Sequence, residues 1–117
     1  MIAEDTYLGM FRSSALTRIA RDKPCMNCEG RVCDSSTTVW AHSNLGEHGK
    51  GKSLKAHDCF GAFLGARCHG WLDQPYGKTK DPTDIYTTSR EDKALMFRKA
   101  MERTYLYMWR HKLIRVA

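Results

Sequence analysis

Thr37-Thr38-Val39-Trp40-Ala41-His42 is rich in β-branched and aromatic residues, the side chains that suit a pleated, half-buried surface, and it predicts a strand ending at His42. Beyond it, Ser43 to Lys55 is rich in glycine and lysine and reads as a loop too polar for the core. A second short extended stretch near Asp58 to Leu64 brings the chain back. A helix then begins at about Gly65 or Ala66, carries Cys68-His69-Gly70-Trp71-Leu72-Asp73 and ends before Pro75. Strand, loop, strand and helix form the centre of the expected fold.

On the N-terminal side, Ala15, Leu16, Ile19 and Ala20 recur at helical spacing, predicting a helix over Ser13–Asp22 that Pro24 stops. Cys25-Met26-Asn27-Cys28-Glu29-Gly30-Arg31-Val32-Cys33 follows as a knuckle-like segment with Gly30 in a tight turn. On the C-terminal side, Gln74 to Thr88 reads as a long polar loop. Ser89 is an N-cap, with Glu91 and Asp92 in the first turn. Ala94, Phe97, Met101, Tyr105 and Met108 mark an amphipathic helix over about 89–112, closed by Arg110, His111 and Lys112. Its methionine and aromatic stripe is packing surface.

At 117 residues the chain fits one domain, and 42% hydrophobic with 27% charged residues excludes wholesale disorder. No apolar run is long enough to span a membrane, and the acidic start Met1-Ile2-Ala3-Glu4-Asp5 is unlike a secretory signal, so a cytoplasmic protein is expected. Nineteen Lys and Arg against thirteen Asp and Glu give a net charge of +6, which favours a polyanionic partner, nucleic acid first.

Five cysteines, an odd count, argue against a fully paired disulfide framework. Cys25 and Cys28 have knuckle spacing, Cys33 offers a third sulfur and Cys68, at a helix start, a fourth, so a structural zinc is expected. Cys59, beside Phe60, reads as a buried core thiol. The plainer alternative is five reduced, unliganded cysteines. His69 and Asp73, four apart, share a helix face and are placed either to hold one divalent cation or to make a surface hydrogen bond. His42, at a strand end facing a polar loop, has the position of a general base. Lys50, Lys52 and Lys55 on the basic loop, with Arg67 beside His69, are candidate contacts to a DNA backbone. His48 and His111 read as surface histidines.

The order Cys25…Cys28, strand end Ala41-His42, basic loop, Lys55-Ala56-His57-Asp58 and Cys68-His69-x-x-x-Asp73 resembles the HNH, or ββα-metal, endonuclease superfamily, in particular its small prophage-encoded YbcO-like branch. The resemblance covers about residues 16–73. It implies an α+β fold: a ββα-metal core with a zinc knuckle, an N-terminal helix and a long C-terminal helix, in a single domain over 1–117. It further implies a phage- or prophage-type DNA endonuclease, acting on branched or recombination intermediates in the host cytoplasm, that hydrolyses phosphodiesters with Mg²⁺ or another divalent metal. His42 is then the base, Asp58 the residue that orients the loop, and His69 and Asp73 the ligands of the catalytic metal. Cys25, Cys28, Cys33 and Cys68 are the structural zinc set. Two positions depart from the pattern. Ala41 stands where many members carry a metal ligand, which opens the alternative of His42 as ligand and His57 or His48 as base. Gly65 stands where a zinc cysteine is usual, so Cys28 must substitute or the zinc is lost. These departures favour a second reading, a catalytically inactive zinc-stabilised nucleic-acid-binding module. A small interaction protein is a third.

Overall fold

The computed structural model describes residues 11–51, 54–73 and 90–115. Two short strands, β1 (Val39–His42) and β2 (Gly61–Leu64), pair antiparallel in the register Val39↔Leu64, Trp40↔Phe63, Ala41↔Ala62 and His42↔Gly61. They are accompanied by α1 (Ser14–Arg18), α2 (Ala66–Leu72) and the long α3 (Arg90–Arg110), an α+β arrangement. No helix among the described residues is long and apolar enough to cross a membrane.

β2 is buried at every position because it lies between β1 and α3. Phe63, fully buried, meets Trp40 and Tyr107 edge-on. A side chain of that size contributes about 1.5–3 kcal/mol when removed from water. The outer edge of β2 is not left open. Phe63 N donates to Thr104 Oγ1 of α3 at 3.0 Å, and Phe63 O accepts from Met26 N at 2.8 Å. Arg103, one residue before Thr104, reaches Met26 O at 3.2 Å and ties α3 to the cysteine-bearing turn.

The face of α3 toward the core differs from the expected stripe. Phe97 and Met108 are buried and Met101 and Tyr105 half-buried, but Lys93, Ala100 and Thr104 complete the buried line. Thr104 satisfies its hydroxyl by donating to Ala100 O at 2.7 Å, which is how a polar residue comes to sit there. The helix ends in a Schellman motif: Lys112 takes φ 57°, its N–H donates to Trp109 O at 3.2 Å, and Leu113 N donates to Met108 O at 2.8 Å. Ser89 lies outside the described residues, as does the loop expected over Gln74–Thr88.

Three further expectations are corrected. α1 is five residues, not the span to Asp22; Ser13 caps it through Leu16 N, and the chain then winds through turns, with Asp22 at φ 61°, before Pro24. No residue of α1 is buried, so nothing extends it by packing. β2 starts at Gly61 rather than Asp58, because 58–60 form a turn in which Phe60 N donates to His57 O. The segment from Ser43 is not all solvated: Ser43 is buried, its N–H donating to Phe60 O and its hydroxyl bonding Leu45 N and His48 Nδ1.

Candidate functional site

The cysteines converge where β2 hands over to α2. Cys25 and Cys28 lie in a turn that Glu29 (φ 55°) and Gly30 (φ 84°) close, with Glu29 N donating to Cys25 O. Cys33 arrives just before the 3-10 turn Ser35–Thr37, and Cys68 sits in the first turn of α2. All four are buried, and their Sγ atoms lie within 4.8 Å of one another. Four thiolates around one zinc at about 2.3 Å stand roughly 3.8 Å apart, so the cluster has the dimensions of a metal centre. Two donors stabilise charge on sulfur: Cys68 N to Cys33 Sγ at 3.4 Å and Asn27 Nδ2 to Cys68 Sγ at 3.5 Å.

The Cys68 side-chain hydrogen bond holds Cys25 well below the ordinary thiol range, to about 4, against its burial and with the N–H groups of Cys28, Gly65 and Asn27 assisting. Burial pushes Cys33 up, the Cys68 N–H opposing and the Cys25 charge adding to the rise. Ionising all four buried sulfurs at this spacing requires a cation. Cys59 stays out of the cluster; it is half-buried rather than a core thiol, and its carbonyl accepts from the Tyr105 hydroxyl.

Gly65 acquires a physical reason here. Its backbone is ordinary extended chain, but a Cβ on it would stand 2.3 Å from Cys33 Cβ and 2.7 Å from Cys33 Sγ. The position lacks a side chain because Cys33 fills that space. Cys25, Cys28, Cys33 and Cys68 thus complete a four-sulfur set without a ligand from residue 65.

At the other end of β1, His42 Nε2 lies 2.8 Å from Asp58 Oδ1. Asp58 is buried; its Oδ2 accepts from Ser13 N at 2.6 Å and Arg12 stands 3.7 Å from Oδ1. Burial opposes ionisation of Asp58, but the His42 hydrogen bond, the Ser13 N–H and the charges of His42 and Arg12 outweigh it and hold the carboxyl below its usual range. An ionised Asp58 fixes the proton of a neutral His42 on Nε2. Nδ1 of His42 makes no hydrogen bond among the described residues.

His69 of α2, half-buried, and Asp73, the exposed residue that ends the helix, stand 3.4 Å apart, and Asn44, two residues after His42, donates to Asp73 Oδ1 at 3.2 Å. No third Cys, His, Asp or Glu ligand atom joins this pair among the described residues. Lys93 of α3 lies close by. It is buried, donates to Trp71 O at 2.9 Å and stands 4.8 Å from the Trp71 ring; burial pulls its pKa down while the Asp73 charge pushes it back up.

Of the two histidines expected at the surface, His111 is there and His48 is not. His48 is half-buried, stacked on Phe60 at 4.2 Å, and burial draws its pKa down. His57 is buried, with Nδ1 accepting from Phe11 N at 2.9 Å. His111 is exposed and stacks on Tyr107. Lys50, Lys55 and Arg67 are exposed; Lys52 lies outside the described residues. Sequence reading missed Arg12, Ser13, Asn44 and Lys93, whose partners are far away along the chain and leave no local pattern. Compared with known protein families, curated proteins and solved structures, the chain matches none.

Proposed function

We propose that the protein is a metal-dependent DNA endonuclease of the phage or prophage type, stabilised by a zinc on Cys25, Cys28, Cys33 and Cys68. The observation that carries the hydrolytic part is the contact of 2.8 Å between His42 Nε2 and the buried, ionised Asp58. Asp58 keeps the His42 proton on Nε2, so the Nδ1 lone pair takes a proton from water, and the carboxylate stabilises the imidazolium that forms. His69 and Asp73 hold the second ion. Their 3.4 Å spacing is near the roughly 3 Å between adjacent ligands of an octahedral cation at 2.0–2.1 Å. When bound, a divalent cation such as Mg²⁺ supplies stabilisation of charge on the phosphoryl oxygens and the leaving group. Lys50, Lys52, Lys55 and Arg67 neutralise backbone phosphates.

A specific observation favours the inactive nucleic-acid-binding module. Ala41, where a ligand is often found, is 1% exposed and packed in the core, and the His69–Asp73 pair has no third protein ligand among the described residues. Plasmid nicking separates the two readings. With Mg²⁺ or Mn²⁺ added, the wild type is expected to convert supercoiled plasmid to the open form and His42→Ala to lose that activity. Binding without nicking under every divalent metal selects the module, and undiminished cleavage by His42→Ala removes that residue from the chemistry.

A further inference from the structure

A groove of about 510 Å³ lies between α1, the Ser35–Thr37 turn and the start of β1, at the end of the hairpin that carries the cysteine cluster. Its volume falls within the roughly 300–1,000 Å³ of small-ligand sites. Arg18 and Arg21 line it from one side, and both are exposed. Neither forms an ion pair among the described residues, and Arg18 uses only Nε, on Ser14 O at 3.2 Å. Val39, 44% exposed, adds apolar surface to the lining, whereas Trp40 is buried against Phe63 and Tyr105. Next to Val39 lies Thr38, 5% exposed, whose Oγ1 is out of reach of water and has no hydrogen-bond partner. Such a buried orphan is costly and rare. A change of χ1 exchanges the positions of Oγ1 and the methyl.

Two exposed guanidiniums that form no ion pair among the described residues, an exposed valine and an orphaned hydroxyl suit an anion with an apolar body. We infer that this groove binds a nucleotide, the phosphate on Arg18 and Arg21, the sugar and base against Val39, and the Thr38 hydroxyl completing the polar contacts. Two sources share that chemistry, a nucleotide within a single strand and a free mononucleotide. The groove lies at the Val39 end of β1, about 10 Å along the strand from His42, within the span of a few nucleotides of a single strand. That placement rests on the endonuclease reading; nucleotide binding itself does not.

The test uses the zinc-loaded full chain without added magnesium, so that binding is read apart from nicking. A short 5′-phosphorylated thymidine strand, thymidine monophosphate and thymidine are titrated separately while the backbone amides of Ser36 to Val39 are followed by NMR. The strand is expected to shift those amides and to bind about tenfold more weakly to Arg18→Glu/Arg21→Glu, and about threefold more weakly to the near-isosteric Thr38→Val. Circular dichroism checks that both variants fold. Comparable shifts from the monophosphate identify a free nucleotide as the ligand; shifts from the strand alone identify a strand. Charge reversal at Arg110 and Arg115, neither of which lines the groove, is the control. Equal weakening there, thymidine binding as well as its monophosphate, or unchanged binding in both groove variants overturns the inference. Nicking that fails while groove binding persists removes only the endonuclease reading.

Discussion

At the Val39–Leu64 end of the hairpin, four sulfurs from separate parts of the chain meet in a buried cluster, each within 4.8 Å of the rest. At the His42–Gly61 end, the titratable groups come as two pairs: one folded in, with Asp58 buried against His42, and one partly open to solvent, half-buried His69 with exposed Asp73. The difference teaches what each end contributes. A closed, fully populated donor set joins distant segments and so acts on the fold. Exposed pairs stabilise little, and their value lies in what they bind.

Loss of a sulfur is expected to have the largest effect. On the zinc reading, Cys68→Ser removes one of four ligands, and structural zinc contributes about 10–16 kcal/mol in small finger peptides. The variant should retain no stoichiometric zinc by metal analysis and show no cooperative thermal transition. A wild-type melt in the variant would break the contrast between the two ends. Next comes Gly65→Ala, whose methyl would stand 2.7 Å from Cys33 Sγ. Overpacking of this kind costs about 1–3 kcal/mol, and here it should also weaken zinc retention in competition with a chelator. Unaltered zinc affinity would show that Gly65 is not making room for the cluster.

Asp58→Asn tests the closed pair. Leaving its buried donors poorly matched should cost about 1–3 kcal/mol at neutral pH, read from denaturant midpoints. The carboxyl is held below 3.8 in the folded protein, so the folded state binds fewer protons than the unfolded between the two values. Its contribution is therefore complete above pH 3.8 and is lost as pH falls through the depressed folded value, and the gap between wild type and variant should shrink over that window. The smallest effect is expected for His69→Ala, at or below about 0.5 kcal/mol, because an exposed i,i+4 pair is worth no more. A larger destabilisation would make that pair structural, whereas lost nicking at unchanged stability would sharpen its assignment as a metal site.

The cysteine spacing made the sulfur end legible before any coordinates, because a CxxC turn has few uses in a chain with an odd cysteine count. Gly65 was not legible in the same way. Read along the sequence it looked like a missing ligand, and only the volume taken by Cys33 explains it. Lys93 and Thr104 were hidden on α3 because hydropathy spacing marks apolar residues, and these two are buried through hydrogen bonds to Trp71 O and Ala100 O. The N-terminal helix was overextended for a related reason. Apolar residues three and four apart fit successive turns as well as a helix, and Asp22 at φ 61° chooses the turns. The strand, its end at His42 and the helix carrying Cys68 through Leu72 were read close to their observed bounds.

The sealing of Phe63 has a consequence for how copies of this chain behave in a crowd. An edge strand with unclaimed amides and carbonyls is a template on which a stray strand can add, and two-stranded sheets are short of neighbours to prevent it. Here a threonine hydroxyl and a main-chain N–H occupy the outward groups of Phe63, the third residue of β2. A newcomer would have to evict α3 and the cysteine turn together, so the same packing that seats the sulfurs also guards this flank against runaway sheet growth.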